Sequence, residues 1–98
     1  MSPQVLETPD VFIESEEEIE RGLPWEVILY NDDDHSFDEV VLQVRKATGA
    51  SLQKAVDITM EAHTYGRAVC YAGALERCER VAAILREIAL TVEIDRAG

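Results

Sequence analysis

The sequence predicts an α+β fold, a small open-faced sandwich in which a three-stranded antiparallel sheet carries helices on one face, in the order β-α-α-β-α-β. Three observations predict it. Two short runs rich in β-branched and aromatic residues, and one stretch alternating with period two, are too short for helices and read as strands. Three other stretches repeat apolar residues at helical spacing, each as one buried face. The chain has 98 residues, which suits one domain and leaves little room for a second core.

The first strand is Trp25-Glu26-Val27-Ile28-Leu29-Tyr30, bounded by Pro24 and by the turn-forming Asn31-Asp32-Asp33-Asp34. Ser36-Phe37-Asp38-Glu39 has capping-box spacing, so a helix is expected over 37–48 with its stripe at Phe37, Val40, Val41, Val44 and Ala47. Gly49 is placed to end it in a left-handed conformation. Ser51 caps a second helix whose buried face is expected at Leu52, Ala55, Val56, Thr59 and His63, with Gly66 as its terminator. Residues 67–72, held between Gly66 and Gly73, read as a strand. Leu75, Cys78, Val81, Ala82, Leu85, Ile88 and Ala89 trace a third helix, and residues 91–95 alternate as the last strand. There is no internal repeat.

Charge divides the chain differently. Twenty acidic residues against nine basic ones give a net charge of -11, which disfavours a phosphate backbone as partner, so no nucleic acid is expected. Residues 1–22 hold seven acids (Glu7, Asp10, Glu14, Glu16, Glu17, Glu18, Glu20) and one base (Arg21), with Pro3 and Pro9 and no apolar period. Such a segment cannot bury enough surface to offset its ordering entropy, so a disordered acidic extension over 1–22 and a folded domain over 23–98 are expected. No apolar run approaches a membrane span and no basic n-region leads into an apolar h-region, so a soluble, unexported protein is expected. Cys70 and Cys78 are too few for a disulfide scaffold and suit a reducing compartment as small apolar fillers; the cytoplasm fits.

Asn31-Asp32-Asp33-Asp34-His35 stands where a strand hands over to a helix, and pattern alone leaves it as a solvated turn capping its own backbone or as a ligand site. A hard cation is disfavoured, because the Asp-x-Asp-x-Asp-Gly loop with its distal Glu is absent and contiguous aspartates diverge. His63 lacks the additional imidazole or thiolate partners of a zinc site, and no Gly-x-Ser-x-Gly or helix-capping cysteine accompanies it. Neither enzymatic activity nor a cofactor is expected.

Taken together, Pro24 to Asp33, a helix, Ala62-His63-Thr64-Tyr65-Gly66 and a Val69-Cys70 strand resemble the ClpS adaptor family. The Asn-Asp-Asp followed about 30 residues later by His-x-x-Gly carries the resemblance, which spans residues 24–95. It implies a non-enzymatic N-recognin that binds the exposed N-terminal residue of substrates with bulky apolar first residues and hands them to a Clp AAA+ unfoldase and protease. Its partners would be N-degron peptides and proteins and the unfoldase N-terminal domain, the adaptor being monomeric when alone. A ribosomal-stalk-like interaction module of the same fold would need no Asn31, Asp32 or His63.

The resemblance also implies roles. Asn31, Asp32 and His63 match positions that contact the substrate α-amino group. An ammonium has three N–H donors, and an amide oxygen, a carboxylate and a neutral imidazole nitrogen supply three acceptors. Phe37, Val40, Thr59, Ala62 and Leu90 match the positions lining the side-chain pocket, and His35 its rim. Family members often carry Met where this chain has Phe37, a bulky apolar residue where it has Thr59, and Thr where it has His35. Glu76, at the start of the last helix, matches an acidic residue of the unfoldase contact, and a neighbouring position that is often Lys matches Val81. The extension over 1–22 matches a segment engaged by the unfoldase during delivery.

Overall fold

A computed structural model describes residues 24–97. The expected disordered extension over 1–22 lies outside the described residues. The elements run β1 (Trp25–Tyr30), α1 (Phe37–Thr48), α2 (Leu52–Tyr65), β2 (Arg67–Gly73), α3 (Leu75–Arg86) and β3 (Val92–Arg96). β1 is the central strand and pairs antiparallel with both β2 and β3. The open three-stranded α+β sandwich is therefore the one the periodicities predict.

Local chemistry sets each boundary. The Ser36 hydroxyl accepts the Glu39 N–H at 3.1 Å while the Glu39 carboxylate accepts the Ser36 N–H at 2.9 Å, a complete capping box at the start of α1. Ser51 caps α2 through the Lys54 N–H. Gly49 and Gly66 end the two helices at φ 77° and 93°, values a side chain adopts only under strain.

Alternation along β1 sends Val27 and Leu29 into the core against the helices and Ile28 to the opposite face. Ile28 is nevertheless only 6% exposed, because Val69 and Glu93 flank it from the two outer strands. β2 carries an irregularity opposite Val27 and Ile28, where Val27 pairs with Tyr71 and Ile28 with Val69. The unpaired residue is Cys70, whose thiol donates to the Val27 carbonyl at 3.5 Å and is pushed by burial up to about 12. Cys78 is buried as well, and neither cysteine forms a disulfide.

Two expectations about helix faces need correction. The buried stripe of α2 is Ala55, Ile58, Thr59 and Ala62, so Leu52 (53% exposed) and His63 lie off it. The face is rotated toward Ile58, whose large side chain fills the core while the two alanines let α2 approach its neighbours. The third helix stops at Arg86, although its apolar spacing continues through Ile88 and Ala89. Ala89 adopts φ 65°, its N–H reaches the Arg86 carbonyl at 2.9 Å, and the Leu90 N–H reaches the Leu85 carbonyl at 3.4 Å. That closure resembles a Schellman turn with alanine where glycine is usual, and it swings Leu90 beneath the end of α3.

Candidate functional site

The strand-to-helix loop after β1 meets the C-terminal end of α2 across a groove of about 380 Å³. Leu29 and Val40 are buried apolar residues on its wall, with Thr59 and Ala62 from α2. Asn31, Asp32, Asp33 and His35 line it from the loop, and His63 from α2. Phe37, 37% exposed, lines it from the first turn of α1, and Met60, half exposed, from α2. An apolar wall thus lies beside a set of acceptors drawn from two elements.

Backbone hydrogen bonds place those acceptors. The Tyr30 N–H donates to the Thr91 carbonyl at 3.0 Å, and the Asn31 N–H donates to the Gly66 carbonyl at 2.9 Å. The last residue of β1 is fastened to the turn before β3, and the first loop residue to the cap of α2. Asn31 Nδ2 lies 3.5 Å from Asp33 Oδ1, which turns the amide oxygen away from that carboxylate. Asp32 accepts the Asp34 N–H on Oδ1 at 2.8 Å and meets His35 Nδ1 on Oδ2. The Asp34 N–H, and then His35, hold the Asp32 carboxyl below its usual range against partial desolvation. The Thr59 hydroxyl donates to the Ala55 carbonyl at 2.8 Å, so Thr59 serves the groove as a small wall residue.

Of the residues singled out from sequence, Asn31, Asp32, His35, Phe37, Val40, Thr59, Ala62 and His63 converge on this groove. Leu90 does not line it. The left-handed turn at Ala89 carries Leu90 into the core, where it is 3% exposed. Glu76 is exposed in the first turn of α3, on an element that contributes nothing to the groove lining. Val81 is 4% exposed and packed in the core, so it is no surface counterpart of a lysine. Sequence reasoning missed Leu29, Tyr30, Asp33 and Met60 as lining residues. The position of Met60 one helical turn before His63 is the signal that could have found it.

Among the described residues no group of three His, Cys, Asp or Glu side chains could hold a metal ion, and no buried side-chain polar atom lacks a partner. No helix there is long and apolar enough to cross a membrane.

Comparison with known proteins places this architecture. A family model described as ATP-dependent Clp protease adaptor protein ClpS matches residues 20–93. ATP-dependent Clp protease adapter proteins ClpS from two strains of Corynebacterium glutamicum are each 28% identical over 93 residues, covering 95% of this chain and 93% of the relative. The structure of Agrobacterium tumefaciens ClpS2 bound to L-phenylalaninamide superposes with a TM-score of 0.71 at 20% identity, over 76% of this chain and 98% of that one. With three quarters of its length matched by the family model, relatives of nearly equal extent and the same fold, the chain belongs to the ClpS family of Clp protease adaptors.

Proposed function

We propose that this protein is an N-recognin that binds the free N-terminal residue of substrates bearing a bulky apolar first side chain and delivers them to a Clp AAA+ unfoldase and its protease. One observation carries the reading: Asn31, Asp32 and His63, from two elements fastened by a backbone hydrogen bond, line one groove with an apolar wall. The α-ammonium would donate to the Asn31 amide oxygen, the Asp32 carboxylate and a neutral His63 ring nitrogen. The first side chain would lie along Phe37, Val40, Thr59 and Ala62. The L-phenylalaninamide bound to the Agrobacterium protein, a free amine with an aromatic side chain, has this chemistry.

The adaptor itself would break no bond and need no cofactor; hydrolysis belongs to its partner, met through the N-terminal domain of the unfoldase. Glu76, exposed on α3, would contribute to that contact, and residues 1–22 would be engaged during delivery. The setting that goes with this reading is the cytoplasm, where the unfoldase partner would act.

Fluorescence anisotropy with peptides differing only in their first residue tests recognition: Phe, Tyr, Trp or Leu should bind and Ser, Gly or Asp should not. Equal affinity across the panel would refute it. Deleting residues 1–22 should leave those affinities unchanged and slow degradation of a substrate, whereas undiminished delivery would refute a role for the extension.

A further inference from the structure

Asp32 does not face the groove as an unencumbered carboxylate. Oδ1 already accepts the Asp34 N–H at 2.8 Å, and Oδ2 meets His35 Nδ1. The two side chains are 13% and 19% exposed, so water screens the pair only in part. A carboxylate oxygen accepts, so Nδ1 carries its hydrogen and Nε2 is the nitrogen that titrates. Asp32 faces the ring from its own loop, Glu39 from α1, and the Ile88 backbone from the turn after α3; all three favour the protonated ring. His63 of α2 lines the same groove.

On the reading that the groove takes an α-ammonium, we propose that His35 is a positioning residue for Asp32 and a proton-linked gate on ligand binding. The neutral ring donates from Nδ1, fixes the carboxylate and leaves its full negative charge and its other lone pairs for the ligand. The protonated ring still donates from Nδ1 but cancels that charge, so an arriving ammonium meets an ion pair of no net charge. Ligand and proton then oppose each other across Asp32, and the opposition is reciprocal: the factor by which protonation weakens the ligand is the factor by which the ligand weakens the proton. Contact with Asp32 raises the His35 pKa above its ordinary 6.5, which brings the gate toward neutral pH.

The test follows the His35 Cε1–H resonance through a pH titration of the intact protein, free and saturated with phenylalaninamide. Saturation should lower the His35 pKa by about one unit, the counterpart of a tenfold loss of affinity on protonation. Peptide affinity provides the second readout. His35→Asn places a neutral donor near the Nδ1 position, so it should bind a Phe-initial peptide within about threefold of wild type at pH 7.5 and lose about tenfold less than wild type on going to pH 5.5. His35→Ala, without a donor, should bind about tenfold more weakly at pH 7.5. His63 is unchanged in all three proteins, so the comparisons isolate the residue at position 35. Phenylalaninamide that fills the groove and leaves the His35 titration unmoved would overturn the gate alone, as would parallel profiles for wild type and His35→Asn. Phenylalaninamide that perturbs no groove resonance would overturn the proposed function, and the gate with it.

Discussion

The Asn31 N–H donates to the Gly66 carbonyl at 2.9 Å, tying the acceptor loop to the helix cap three residues beyond His63. The geometry between the loop acceptors and the imidazole is therefore set by backbone, and it depends on Gly66 holding φ 93°. A Cβ at Gly66 would meet nothing within 4 Å, so the strain of Gly66→Ala is conformational alone. It should destabilise the protein by about 1–2 kcal/mol and weaken peptide binding. Gly49→Ala, equally unobstructed at φ 77° but away from the groove, should destabilise by a similar amount and leave affinity alone. Urea melts and anisotropy on both variants check this; matched binding losses would show that the cap of α2 does not position the site.

Asp32 and Asp33 are neighbours with different environments. Asp32 is largely enclosed by its Asp34 and His35 contacts, whereas Asp33 is exposed and touches the Asn31 amide only at 3.5 Å. Asp32→Ala should therefore lower affinity for a Phe-initial peptide by one to two orders of magnitude, roughly the 1.5–3 kcal/mol of a hydrogen bond to a charged group. Asp33→Ala should stay within about threefold. A calorimetric titration of each variant measures both, and equal losses would place the ammonium elsewhere.

The Asp32–His35 pair also makes stability depend on pH with a definite sign. His35 has a raised folded-state pKa, so its contribution is complete below its ordinary 6.5 and is lost as pH rises through the folded value. Asp32 has a lowered one, so its contribution is present above its ordinary 3.8 and is lost as pH falls through the folded value. The pair stabilises most between those ordinary values. Wild type should exceed His35→Asn in urea-melt stability by more at pH 5 than at pH 8.5. A difference that grows toward pH 8.5 would contradict the pairing.

Ala89 holds a left-handed φ of 65° at the end of α3 and is exposed. Ala89→Gly relieves about 1–2 kcal/mol of conformational strain and costs about 0.5–1 kcal/mol of chain entropy, a net gain centred on about 0.75 kcal/mol. The melting temperature should rise by a few degrees, since about 1 kcal/mol shifts a domain of this size by 4–8 °C. A lower melting temperature would mean that the turn is held by contacts of the Ala89 methyl.

Much of this was legible in the chain because local chemistry and tertiary packing agree. The Ser36–Glu39 capping box, the Ser51 cap and the Gly49 and Gly66 terminators are local signals, and each acts where it was read. The end of α3 was illegible because apolar spacing runs unbroken to Ala89, while the chain turns at an alanine that carries no glycine-like signature. That same turn explains Leu90, whose removal from the groove wall depends on one backbone angle. The face of α2 was misjudged because Leu52 and His63 share a helical stripe with Thr59, and only packing against the sheet and α1 reveals that Ile58 and Ala62 win the interior. The loop residues were located by pattern, yet the engagement of Asp32 by His35 is a matter of side-chain geometry that spacing does not encode.

If Asn31, Asp32 and His63 recognise a charged α-amino group, the affinity of one Phe-initial peptide must differ between a free and an acetylated N-terminus, measured by anisotropy at pH 7. Acetylation removes the charge and two of the three donors, leaving groove acceptors unpaired at about 1–3 kcal/mol each. The free peptide should bind at least about thirtyfold more tightly. Equal affinities would contradict the account, because a groove that ignores the ammonium would be reading the side chain alone.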